Sequence, residues 1–145
     1  MARYGVQAGW GNAMSRRPDV YDFCGAGVAA GLALVAAQFG FATDFGAHPI
    51  WASTVAHVGA AVGAVVAPVL ALMRFGWRAK ALAMAFLAVL AGVAAWQGKA
   101  RFAESYAEDA LAGRMWFLGW IALISALVVL VAILATRLLR KHDRV

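Results

Sequence analysis

The sequence predicts an all-α membrane protein: four transmembrane helices in two consecutive hairpins, with both termini cytoplasmic. Three observations predict it. First, Met115 to Thr136 contains no charged side chain, and three comparable stretches precede it. At about 1.5 Å per residue, each run approaches the roughly 30 Å thickness of a bilayer core. Second, apolar side chains make up 64% of the chain and charged ones 14%, against about 25% charged in soluble domains, which excludes a water-soluble core. Third, the basic residues are unevenly shared between the two ends of the spans. Arg3, Arg16, Arg17, Arg74, Arg78, Lys80, Arg137, Arg140, Lys141 and Arg144 fall on one side, and only Lys99, Arg101 and Arg114 on the other. Lys- and Arg-rich short loops stay cytoplasmic, which sets the orientation.

Residues 1–22 mix Gly, Arg and polar side chains without helical periodicity and are expected to form a cytoplasmic lead segment, ordered against a partner if at all. Met14 opens a Met-Ser-Arg-Arg-Pro run and is an alternative start to Met1; the Arg16-Arg17 pair before an apolar stretch also resembles the head of an export signal. An uncleaved first span is the preferred reading. The transmembrane bundle covers residues 23–136, with spans at Phe23 to Ala42, Ile50 to Met73, Ala81 to Trp96 and Met115 to Thr136. A basic cytoplasmic tail occupies residues 137–145. The lone cysteine, Cys24, has no internal partner and no redox or zinc spacing, and is expected to pack as a small apolar group.

Trp and Tyr favour the headgroup boundary, where a ring is half wet and half buried. Trp51, Trp96, Trp116 and Trp120 fall at the outer ends of the spans, while Tyr21, Phe23 and Trp77 fall at the inner ends, giving two belts. The formal charge of +6 is therefore a topology signal rather than a nucleic-acid footprint. Anionic lipid near Arg137, Arg140, Lys141 and Arg144 is the expected secondary partner, since such clusters attract acidic headgroups.

Lipid tails are as apolar as Leu, so helices in a bilayer associate through close approach of small residues. Gly27 and Gly31 in the first span, Gly59, Gly63 and Ala67 in the second, and Gly92 in the third are the expected packing positions. The fourth span is bulkier, with Trp116, Phe117, Trp120 and Leu127 through Leu130, and is expected to face lipid or a larger partner. Pro68 removes a backbone donor inside the second span and predicts a kink near Ala64 and Val65.

Few residues carry chemistry. His57 is the one side chain deep in a span that titrates near neutral pH. A haem, metal, quinone or proton-relay role is weighed against an ordinary hydrogen bond to a neighbouring helix. Bis-histidine haem needs a second ligand at the same depth, yet His48 lies in a loop and His142 on the opposite side; a pairing with Met115 stays open. His48, Glu104 and Glu108 form a candidate metal set with Asp44 and Asp109 nearby, against the plainer reading of a solvated acidic face in which Arg101 pairs with Glu104. Gln97 to Gly113 reads as an extension of the third helix or a short interfacial helix. No catalytic group and no cofactor is predicted. No span holds the Asp, Glu, Lys or Arg that ion-coupled transport uses, and no nucleophile-base grouping, phosphate loop or zinc pattern occurs.

The expectation is a noncatalytic accessory subunit of a larger bacterial inner-membrane complex, respiratory or otherwise energy-conserving, surrounded by lipid and other integral membrane subunits. The alternatives are a small homo-oligomeric transporter or channel, and a haem-, metal- or quinone-binding protein using His57.

Overall fold

The computed structural model describes residues 18–143. Among these, the helices are α1 (Val20–Gln38), α2 (Phe41–Asp44), α3 (Pro49–Leu72), α4 (Trp77–Glu104) and α5 (Ala110–His142), with no strand. The four long helices, α1, α3, α4 and α5, are each long and apolar enough to cross a membrane. The possible starts at Met1 and Met14, Arg3, Arg16, Arg17 and Arg144 lie outside the described residues.

Each helix end has a local chemical cause. Asp19 and Asp22 form a capping box at the start of α1, each carboxylate accepting the other's backbone N–H, at 3.3 and 3.1 Å. The first helix thus begins inside the segment expected to lack structure. It ends earlier than expected, because Gly40 adopts a left-handed φ of 76°, a conformation with little cost only for glycine. The one-turn helix α2 follows, unanticipated from the sequence. At α3, His48 Nδ1 accepts from Ile50 N at 3.3 Å and Pro49 occupies the first turn, where its missing donor costs nothing. The Lys80 ammonium donates to Leu70 O at 2.6 Å, adding a second donor to the carbonyl that already accepts from Met73 N at 3.1 Å where α3 ends. The helix continues through Pro68 to Leu72.

The segment Gln97 to Gly113 divides in two. α4 extends to Glu104, then Tyr106 and Ala107 take left-handed φ values of 54° and 69°, and Asp109 restarts the chain by accepting from Ala112 N at 2.9 Å. Ser105 holds this corner, donating to Phe102 O and accepting from Asp109 N, both at 3.0 Å. At the other end, α5 runs on through the residues read as a basic tail as far as His142.

α5 is the hub. It packs against α1, α3 and α4, whereas α4 packs principally against α5 alone. This corrects the expectation that the bulky fourth span faces outward. Its large side chains are accommodated because the partners are small there. A Cβ on Gly59 would lie 2.7 Å from Ile124 Cβ, and one on Gly63 2.7 Å from Val128 Cβ, so α3 is notched where α5 is branched. Gly25 of α1 meets Ala132 and Thr136, and Gly98 of α4 meets Ala112 and Trp116. Two cores result. One, around Val55, Ala95, Trp116 and Trp120, lies at the His48 end. The other, around Ala26, Ala29, Ala67, Val128 and Val129, lies toward the Arg140 end.

Large apolar side chains cover the outside, among them Ile50, Leu82, Phe86 and Trp96. In water so much exposed apolar surface would aggregate; in a bilayer it is the surface that meets hydrocarbon.

Candidate functional site

Three polar or aromatic clusters mark the molecule, one at each end and one between. At the first end, Gly46, whose φ of 102° suits glycine, offers its carbonyl to Trp116 Nε1 at 3.2 Å. The Trp116 ring stands edge-on to Trp51 at 5.1 Å and to His48 at 5.7 Å. Trp51 in turn stands edge-on to Phe117 at 5.3 Å, and Lys99 Nζ lies 6.0 Å from the Trp116 ring. Edge-to-face contacts of this kind align the positive rim of one ring with the negative face of another. The cluster therefore ties the loop between α2 and α3 to the start of α5.

His48 belongs to this cluster as a half-buried helix cap, with Nδ1 occupied by Ile50 N. Glu104 and Glu108 are exposed on the far side of the Ser105 corner. Among the described residues no three His, Cys, Asp or Glu side chains converge on a metal-sized space, so the structure does not bring His48, Glu104 and Glu108 together.

His57 lies outward on α3, exposed beyond the protein. Its Nδ1 is 2.7 Å from Ser53 O. A carbonyl only accepts, so Nδ1 donates to it. Ser53 Oγ is 3.3 Å from the same nitrogen. Met115, the alternative haem partner, has its backbone against Gly98 of α4.

The packing glycines also separate. Gly59 and Gly63, with Ala67 buried beside them, lie at the α5 contact. Gly27 and Gly31 face open space, and Gly92 only reaches Leu123 Cδ1 at 4.0 Å. The closest approaches occur at Gly25 and Gly98, and Gly119 is as close as Gly59 and Gly63; the spacing of small residues did not single out Gly25, Gly98 or Gly119. Ser125 Oγ, near Gly59, donates to Ile121 O at 2.8 Å and lies 3.1 Å from Gly59 O.

At the opposite end, Arg140 Nη2 lies 2.8 Å from both carboxylate oxygens of Asp19 and 3.0 Å from Asp22 Oδ2, joining the end of α5 to the start of α1. Thr136 Oγ1 donates to Tyr21 O at 3.1 Å, and the Tyr21 hydroxyl donates to the Asp143 carboxylate. Arg137 lies over the Trp77 ring, 4.7 Å from its centroid. Between these groups a cavity of about 470 Å³ opens among α3, α4 and α5, with Ala67 and Ile133 in its apolar wall. A second cavity, about 420 Å³ and almost wholly apolar, runs between α1 and α5, with Phe41 of α2 and Phe45 just after it in the lining.

The chain matches no protein-family model, no curated protein and no solved structure.

Proposed function

We propose that this chain is a noncatalytic accessory subunit of a larger complex in a bacterial inner membrane, with respiratory or other energy-conserving assemblies as first candidates. In this reading α1 with α3, and α4 with α5, form two transmembrane hairpins, and both termini lie in the cytoplasm. Arg74, Arg78, Lys80, Arg137, Arg140 and Lys141 then face the cytoplasm together, in agreement with the retention of basic loops there. Lys99, Arg101 and Arg114 belong to the opposite face.

The observation that carries the proposal is what the polar side chains do. Thr136 ties α5 to α1, Ser125 donates within α5 beside Gly59 O of α3, Lys80 donates to the end of α3, Arg140 locks α1 to α5, and His48 and Asp109 cap helices. Their chemistry is structural. α4 adds a second support: it is fastened along one face and turns Leu82, Phe86, Val89, Val93 and Trp96 outward, a surface of the kind that another subunit's helices cover. Solubilisation in mild detergent followed by identification of co-purifying proteins tests the proposal. A stoichiometric membrane partner is expected; a lone monomer or homo-oligomer overturns it.

One observation favours a second reading, a small homo-oligomeric transporter or channel. Ser53, Thr54 and His57 are all exposed on α3, so copies meeting there would enclose polar groups between them. Solute flux in liposomes containing only this protein separates the two classes.

A further inference from the structure

We propose that the cavity bounded by Arg74, Lys80, Arg137 and Arg140 is a binding site for an anionic phospholipid, holding the phosphate diester among the cations and the upper acyl chain against the apolar wall. This site does not depend on the accessory-subunit reading. The cavity's volume, about 470 Å³, lies within the roughly 300–1,000 Å³ of small-molecule pockets. Four of the side chains lining it are cationic, and one of these, Arg140, is engaged by Asp19 at 2.8 Å and by Asp22 at 3.0 Å. Arg140 is thus offset in place, and Arg137 is the cation whose charge an anion in the cavity would meet.

Three further features match an amphiphile. Arg137 has no carboxylate partner among the described residues and is held in place by the Trp77 ring at 4.7 Å, a stacking that fixes a guanidinium without consuming its donors. α4 begins at the rim with Gly76, which supplies no side-chain cap, so its first backbone N–H groups add donors and a positive dipole end. The inner wall is made of Ala67, Leu70, Ala132 and Ile133. Trp77 places the opening at headgroup height, where phosphates lie. A free phosphate would use the cations alone, whereas a lipid uses both halves.

Native mass spectrometry of the intact chain in mild detergent, titrated with dioleoyl phosphatidylglycerol or dioleoyl phosphatidylcholine, tests the site. Phosphatidylglycerol is expected to bind in preference. Arg137→Gln should weaken it about fivefold, the effect of one cation near an anionic headgroup, while Arg137→Lys, which keeps the charge but loses the stacking on Trp77, should weaken it less. Lys141→Gln, outside the cavity, should change binding less than about twofold. Ala71→Phe fills the cavity without altering charge and should also weaken binding; it serves if Arg137→Gln does not fold, with circular dichroism as the check on both. Equal binding of the two lipids, displacement by glycerol phosphate at the lipid's own concentration, or a loss in Lys141→Gln equal to that in Arg137→Gln would overturn the proposal.

Discussion

Replacing Gly98 by Ala should loosen the bundle, whereas the same change at Gly27 or Gly31 should not. A Cβ on Gly98 would lie 2.5 Å from Trp116 N and 2.8 Å from Ala112 O, against 3.4 Å for an ordinary contact. Both opposing atoms are backbone, so no side chain can swing away. α4 and α5 must separate by up to about 0.9 Å, and a gap of that size forfeits a quarter to a half of each affected dispersion contact. Overpacking of this kind costs about 1–3 kcal/mol, offset by the ~1 kcal/mol that Ala gains over Gly inside a helix. The net expectation is a loss of up to about 2 kcal/mol at Gly98. Gly27 and Gly31 meet nothing within 4 Å, so Ala there keeps the propensity gain and should be neutral or stabilising by up to ~1 kcal/mol. Reversible unfolding in mixed detergent micelles, followed by circular dichroism, measures the difference. A larger loss at Gly27 or Gly31 than at Gly98 would refute the packing described.

Three other substitutions probe separate parts of the account. Ser125→Ala removes the hydroxyl that donates to Ile121 O beside Gly59 O and should cost no more than about 0.6 kcal/mol, the average for a hydrogen bond between membrane helices, in the same unfolding assay. Arg140→Gln leaves Asp19 and Asp22 without their shared cation; because the Asp19 side chain is 44% exposed, a loss of about 1 kcal/mol is expected rather than the larger cost of a fully buried pair. His57→Leu removes only the local bond to Ser53, so its unfolding midpoint should match wild type, while loss of a co-purifying protein in that variant would assign the outward imidazole to the partner contact.

The sequence made the membrane class legible because charge cannot enter hydrocarbon without a large penalty, so the spans are marked by what they lack. Helix ends were harder to read. Asp19, Val20, Tyr21 and Asp22 look like a polar approach, yet the two aspartates satisfy each other's backbone donors and start α1 among them. Ala81 to Trp96 marks only the hydrocarbon core of α4, since helices continue into the polar layers for as long as capping allows. Packing was read from Gly-xxx-Gly spacing, which located Gly59 and Gly63 but chose the open face at Gly27 and Gly31. Ala88, Ala91, Ala95 and Gly98 form the buried stripe of α4, and Ala112, Gly119 and Ala126 that of α5. Those small residues sit between bulky ones, so size averaged over α5 hid its groove. Neither cavity was legible, because each is assembled from separate helices whose relative placement no single span encodes.

Opposite exposure of the two ends of α4 is the claim on which the topology and the assignment of both polar ends rest. With Cys24→Ser as background, Arg78→Cys and Glu104→Cys variants can be labelled by a membrane-impermeant maleimide in intact cells and in inverted vesicles. Modification of the Arg78→Cys variant in inverted vesicles alone, and of the Glu104→Cys variant in intact cells alone, is the predicted result; modification of both from the same side would contradict it.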